Sequence, residues 1–85
     1  MKVATYISWQ HIGDYIYIIN ELNKTVIKFE DVSIIIWENL ICHKTPEEIA
    51  QIIINEYDVE QEEVEEDIIE FINDSIKNGV LIGEK

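Results

Sequence analysis

The chain has 85 residues, so we expect one small domain, spanning residues 1–85, with little room for a deep active-site cleft. Hydrophobic residues make up 47% of the chain, which is enough for a packed core and too many for a disordered acidic tail. Eighteen carboxylates, six lysines and no arginine give a net charge of -12. Because DNA binding needs Lys or Arg to neutralise phosphates, this charge argues against a nucleic-acid partner and favours a neutral or basic one.

The sequence also argues against a membrane partner. No apolar run approaches the ~20 residues that a bilayer-spanning helix needs. The first ten residues, MKVATYISWQ, contain one lysine and no long apolar core, so we expect no signal peptide. A single cysteine, Cys42, cannot form an internal disulfide and fits a reducing compartment. We therefore expect a cytoplasmic protein.

The first thirty residues predict three β-strands. Residues 3–7 (VATYI) alternate weakly between polar and apolar side chains, and we expect them to form the first strand. Residues 14–20 (DYIYIIN) and 24–29 (KTVIKF) are rich in β-branched and aromatic side chains, which suit a pleated, half-buried surface. The short polar loop between these two runs predicts a hairpin, although it lacks a glycine.

The apolar spacing then changes to that of a helix. Residues 30–41 place Ile34, Trp37 and Leu40 at helical spacing, with Asp31 in position to be the N-cap. Trp37 is expected in the core, because its spacing matches that of its apolar neighbours.

Two further helices carry clear boundary signals. Thr45, followed by proline and then by Glu48, predicts a capping box at the start of the second helix. A third helix is expected to start near Asp58 or Glu60 and to stop with Gly79 at the C′ position. Residues 80–82 (VLI) then return to the body as a short strand or an apolar tail.

The predicted order is three strands followed by three helices. It indicates an α+β fold of the winged helix-turn-helix type, with the helices packed on one side of a three-stranded antiparallel N-terminal sheet.

Several fragments of the predicted helical region match a known family pattern in order and spacing. They are IWENL at 36–40, KTPEEIA at 44–50, EYDV at 56–59, EEVEEDIIEFI at 62–72 and NGVLI at 78–82. With these fragments the chain resembles the PqqD-like peptide-chaperone family, also called RiPP recognition elements, where RiPP denotes a ribosomally synthesised and post-translationally modified peptide. The likeness extends from about residue 15 to residue 82, most of the chain.

The resemblance implies a standalone, non-catalytic adaptor that needs no cofactor. It would bind the leader peptide of a RiPP precursor by β-strand addition, in a groove between the third strand and the third helix. It would then present the precursor to a modifying enzyme, such as a leader peptidase, a cyclase or a radical SAM enzyme. A lasso-peptide pathway is one such setting.

The physical requirements of strand addition select the candidate residues. An edge strand must expose its backbone, and residues 25–29 can supply one. One of its faces, either Val26 with Lys28 or the alternating set beginning at Thr25, meets the helices. On the third helix, Val64, Ile68 and Phe71 are expected to form the groove floor, Ser75 to leave space, and Asp67 to lie with other carboxylates at the rim. The predicted peptide-binding residues are Thr25, Val26, Ile27, Lys28, Phe29, Val64, Asp67, Ile68, Phe71 and Ser75.

Other functions find less support. Cys42 and His43 are adjacent, but His11 is the only other histidine and no zinc-type spacing occurs, so we expect no metal site and no catalytic residues. The main rival is a winged-helix regulatory protein that binds DNA or another protein. A low-salt mobility-shift experiment separates the two, because DNA binding would show a steep dependence on salt.

Overall fold

A computed structural model describes residues 2–83 of the chain. The elements in chain order are β1 (Lys2–Val3), β2 (Ile7–Ile12), β3 (Tyr15–Asn20), β4 (Thr25–Glu30), α1 (Val32–Ile41), α2 (Pro46–Glu56), α3 (Gln61–Lys77) and β5 (Leu81–Ile82). The predicted architecture is confirmed: an antiparallel sheet in the order β2-β3-β4 precedes three helices. None of the helices within residues 2–83 is long and apolar enough to cross a membrane.

The first strand of the sheet lies further along the chain than we predicted. It is β2, at Ile7–Ile12, whereas the prediction placed it at residues 3–7. The sequence gives little sign of this strand, because its polar side chains Ser8 and Gln10 lie on the face of the sheet that points away from the helices. A two-residue loop, Gly13-Asp14, joins β2 to β3, and Gly13 has a φ of 60°. Such glycine-containing two-residue loops are typical of tight hairpins.

The second hairpin closes without a glycine. Lys24 takes the left-handed conformation, with a φ of 62°. The side chain of Asn20 is buried, and its Oδ1 accepts hydrogen bonds from the backbone N–H groups of Leu22 and Asn23 at 3.0 and 3.2 Å. Asn side chains commonly replace backbone partners in turns in this way. The loop therefore holds β4 in register with β3.

Helix α1 begins immediately after β4. Asp31 lies at the N-cap position as predicted, but its side chain makes no capping hydrogen bond. Its φ of 54° and ψ of -124° depart from the β-region conformation of an ordinary cap. The predicted position of Asp31 is correct, but its predicted role as a capping side chain is wrong. Its backbone instead makes the sharp turn between β4 and α1.

The other helix boundaries are confirmed. Thr45 and Glu48 form the complete capping box, with Glu48 N–H donating to Thr45 Oγ1 at 3.2 Å and Thr45 N–H donating to Glu48 Oε1 at 2.9 Å. The hydrogen bond from the Thr45 backbone N–H, and after it one from the Thr45 side chain, hold the pKa of the Glu48 carboxyl below its ordinary value. At the end of α3, Gly79 has a φ of 76° and closes a Schellman motif.

The residues after α3 form a short strand, which is one of the two alternatives that we predicted for them. Leu81–Ile82 form the short strand β5, which pairs antiparallel with β1 in the register Lys2↔Ile82 and Val3↔Leu81. This ladder is separate from the three-stranded sheet. It fixes the first described residues against the end of α3.

Two apolar clusters form the core. One joins the sheet to α1 and to the segment after α3, and it includes Ile16, Ile18, Phe29 and Trp37. The other joins the three helices and includes Ile36, Ile49, Ile53, Val64 and Ile68. Trp37 is fully buried as predicted, and its ring contacts those of Phe29 and Trp9 at centroid distances of 5.6 and 5.3 Å. Helix α1 therefore links the two clusters.

Candidate peptide-binding groove

Strand β4 forms an edge of the sheet that no other strand covers within residues 2–83. The direction of its backbone groups follows from the pairing of β3. Glu21 N–H donates to Tyr6 C=O at 2.9 Å, so this position and every second one along β3 bond to β2. The intervening residues of β3, including Ile16 and Ile18, therefore direct their N–H and C=O groups toward β4.

The register then identifies the free groups of the edge. Ile16 lies opposite Phe29 and Ile18 lies opposite Ile27, so Phe29 and Ile27 use their backbone groups within the sheet. The alternate residues Val26, Lys28 and Glu30 direct their N–H and C=O groups outward. An added strand would find its backbone partners at these three residues.

Side chains of β4 alternate between the two faces, and the structure decides which face meets the helices. Phe29 is buried and Ile27 is half-buried on the helix side, whereas Val26 is 60% exposed on the outer face. Lys28 also lies on the outer face, where its Nζ is 4.6 Å from the centroid of the Tyr15 ring. Of the two open alternatives, the face that contains Ile27 and Phe29 is the correct one.

Helix α3 runs beside this edge and leaves a groove. A concavity of about 230 Å³ separates β4 from α3. Its lining residues are Ile27, Lys28, Phe29, Ser33, Phe71, Asp74, Ser75, Asn78 and Val80. Ser75 is buried, and its small side chain lines the concavity beside Phe71. The Phe29 and Phe71 rings contact each other at a centroid distance of 5.0 Å and form the floor between strand and helix.

Two further concavities extend the groove in both directions. One of about 370 Å³ continues toward the β3–β4 loop and shares Ile27, Asn78 and Val80 with the central concavity. The other, of about 310 Å³, continues along α3 to the start of α1 and shares Ser33, Phe71 and Asp74 with it. Together they form one path along β4 and α3, which we call the β4–α3 groove. A groove that follows β4 in this way suits an extended peptide segment of several residues.

Two of the predicted floor residues do not reach the groove. Val64 and Ile68 are 5% and 0% exposed, and both pack in the cluster among the helices with Ile49 and Ile53. Their helical spacing is correct, but helix α2 covers that part of the α3 stripe. The floor on α3 is therefore Phe71 and Ser75, and the expectation for Val64 and Ile68 is corrected.

Carboxylates line one section of the groove. Asp67, Glu70 and Asp74 lie along its α1 end. No lysine within residues 2–83 forms an ion pair with these three groups. Their charges are thus available to a basic side chain of a bound segment, with attraction screened beyond about 8 Å at physiological salt.

Some lining residues were missed at the sequence level. Asn78 and Val80 follow α3, and Ser33 lies in the first turn of α1, so none belongs to the strand or helix stripe from which the site was predicted. The signal for the first two was the predicted stop at Gly79. Because α3 lies beside β4, the residues that follow the stop at Gly79 reverse direction close to β4.

Among residues 2–83, no group of three or more His, Cys, Asp or Glu side chains is placed to hold a metal ion. Cys42 is exposed, and His11 Nδ1 lies 3.9 Å from Glu38 Oε2.

The fold and the groove together define a class of protein: a winged-helix domain with an open sheet edge beside an apolar channel, suited to accepting an extended peptide. Comparison with known families agrees. The sequence pattern of the family described as coenzyme PQQ synthesis protein D (PqqD) matches residues 16–81. The chain belongs to the PqqD family. Among curated protein sequences, none matches the chain.

Two solved structures resemble the whole fold. One is described as TbiB1 in complex with the TbiA(beta) leader peptide; it is 29% identical, with a TM-score of 0.91, and the match covers 100% of this chain and 99% of that chain. The other is described as lasso peptide synthetase B1 complexed with the leader peptide. It is 21% identical, with a TM-score of 0.92, and the match covers 96% of both chains. At that identity the second match establishes the fold alone.

Proposed function

We propose that this protein is a non-catalytic adaptor that binds the leader peptide of a RiPP precursor in the β4–α3 groove. The observation that carries the proposal is the free outer edge of β4, whose outward N–H and C=O groups lie beside an apolar floor. The leader would add as a fourth strand and pair with Val26, Lys28 and Glu30. The match to TbiB1 supports this role, because the structure of that protein is a complex with a leader peptide.

The chemistry of the groove sets the expected ligand. Side chains of an added strand alternate between its two faces, so every second one points toward Phe71 and Ser75. An apolar anchor suits this floor, and a basic residue beside it suits the section with Asp67 and Asp74. The expected leader therefore carries Lys or Arg next to one or more apolar anchors.

The adaptor would present the bound precursor to a modifying enzyme, such as a leader peptidase, a cyclase or a radical SAM enzyme. A leader held along β4 keeps its backbone extended, and the remainder of the precursor leaves the groove at one end. Holding the substrate near the enzyme raises its effective concentration without a chemical role for the adaptor.

The test is a titration of the 15N-labelled protein with synthetic leader peptides from precursor genes near its own gene. We expect saturable shifts confined to residues 25–30 and 67–80. Shifts centred on α2, or no shifts with any such leader, would refute the placement of the site.

The rival DNA-binding function predicts a different result. A mobility-shift experiment at low salt should show no complex with duplex DNA, because residues 47–74 contain twelve carboxylates and no basic side chain. A complex whose affinity falls steeply with salt would favour the regulator instead.

A further inference from the structure

A second cavity lies where the β1–β5 ladder meets the carboxyl end of α1, and we call it the α1 cavity. It has a volume of about 340 Å³. Its lining residues are Lys2, Val3, Leu40, Ile41, His43, Lys44 and Leu81. None of them lines any of the three concavities of the β4–α3 groove. A ligand in this cavity would therefore leave the groove free.

The charge of the α1 cavity is opposite to that of the chain. The protein has eighteen carboxylates and six lysines, yet among residues 2–83 no carboxylate lines this cavity and two lysines do. Lys2, Lys44 and His43 are exposed at its mouth, whereas Leu81 is buried beneath them. An apolar floor under basic groups fits an apolar side chain that is followed by a carboxylate.

The backbone at the mouth is fixed in a strained conformation. His43 N–H donates to Leu40 C=O at 3.0 Å and Lys44 N–H donates to Asn39 C=O at 3.1 Å, which together form a Schellman motif at the end of α1. The C′ residue of this motif is usually glycine, but here His43 has a φ of 62°. His43 therefore places an imidazole at the mouth of the cavity, where the usual glycine would leave no side chain.

We propose that the α1 cavity binds an acidic, otherwise apolar segment of a partner protein. An apolar side chain of that segment would rest on Leu40, Ile41 and Leu81, and its carboxylate would lie between Lys2 and Lys44, with His43 as a further donor. A second copy of this chain is a poorer occupant, because each copy carries a net charge of -12 and the two would repel. The proposal goes beyond leader binding and stands independently of it.

The first experiment uses a capped pentapeptide of alternating leucine and glutamate, titrated into the 15N-labelled protein. We expect saturable shifts at residues 2–3, 40–44 and 81, weakened by added salt, and none from the same peptide with glutamine in place of glutamate. Equal shifts from the two peptides, or no shifts at these residues, would overturn the proposal. Sodium acetate that saturates the same residues as tightly as the peptide would reassign the cavity to a small anion and also overturn it.

The second experiment separates the cavity from general charge. The double variant Lys2→Gln with Lys44→Gln should bind the acidic pentapeptide about tenfold more weakly, the sum expected for two partly exposed ion pairs. The control Lys24→Gln with Lys77→Gln changes the net charge equally and should bind within about twofold of the parent. Equal weakening in the two double variants would refute a localised site.

A third variant tests the role of the imidazole. His43→Gly removes the side chain and relieves the positive φ, so it should fold at least as stably as the parent and yet bind the pentapeptide more weakly. Unchanged binding would remove His43 from the site. Sedimentation equilibrium completes the set: self-association that disappears in the Lys2→Gln, Lys44→Gln variant would assign the cavity to a second copy and overturn the proposed occupant. Titration with leader peptide, run in parallel, should be unaffected by the substitutions at Lys2, Lys44 and His43.

Discussion

Replacing Val26 by proline tests strand addition at a single backbone group. Val26 N–H points out of the sheet, so proline removes a donor that an added strand needs and leaves the β3–β4 ladder intact. Its side chain is 60% exposed, so little packing is lost. Proline is tolerated on edge strands for this reason.

The magnitude follows from the hydrogen bond that is lost. The peptide carbonyl that would have accepted from Val26 becomes an unsatisfied acceptor, which costs about 1–3 kcal/mol where it is buried. Since 1.4 kcal/mol corresponds to a factor of ten, the leader should bind Val26→Pro about 5- to 150-fold more weakly. Val26→Ala, which keeps the N–H, should bind within about threefold of the parent.

Isothermal titration calorimetry with a leader that binds the parent protein measures the effect. The matched control is His11→Pro on β2, the opposite edge, where the N–H also points outward and the leader should bind as it does to the parent. Far-UV circular dichroism verifies that each variant is folded. Unchanged affinity in folded Val26→Pro, or equal weakening by His11→Pro, would refute pairing along β4.

Three other substitutions test the groove and its supports. Ser75→Leu fills the space beside Phe71 and should weaken leader binding by about tenfold in the calorimetric titration, with Ser75→Ala close to the parent. Gly79→Ala places a β-carbon 3.0 Å from Tyr6 Oη at a φ of 76°, and urea unfolding should show a loss of about 1–2 kcal/mol; a smaller loss would count against the strained turn. Thr45→Ala should cost about 1 kcal/mol at pH 7. Because the Thr45 side chain contributes, after the Thr45 backbone N–H, to the lowered pKa of Glu48, part of this cost is present above the ordinary glutamate range and is lost as the pH falls through the lowered pKa; a cost that grows as the pH falls would contradict this.

Local signals in the sequence predicted most of the fold. The capping box at Thr45 and the C′ glycine at Gly79 each depend on a few adjacent residues, and both are confirmed. The prediction placed the first strand at the wrong residues, because its position is set by pairing with β3 and not by a pattern within the strand itself. The polar side chains of Ser8 and Gln10 give no strand signal of their own, and only pairing with β3 places them on the open face of the sheet.

The site was predictable only in part, for a related reason. Helical spacing shows that Val64, Ile68 and Phe71 share one stripe of α3, but it does not show which part of the stripe α2 covers. In the structure α2 covers the N-terminal part of the stripe, with Val64 and Ile68, and the part from Phe71 onward lines the groove. Likewise, the alternation of β4 left two faces equivalent until the burial of Phe29 distinguished them. The positive φ of His43 had no sequence signal, because glycine is the residue expected there.

Hydrogen exchange at the individual amides of β4 tests the central claim most directly. In the free protein the N–H groups of Val26, Lys28 and Glu30 face solvent and should exchange rapidly, whereas those of Ile27 and Phe29 are protected within the sheet. With a saturating leader peptide, the three outward amides should slow by about tenfold or more, and the two inward amides should change little. Uniform slowing of all five amides, or none at the outward three, would contradict the account.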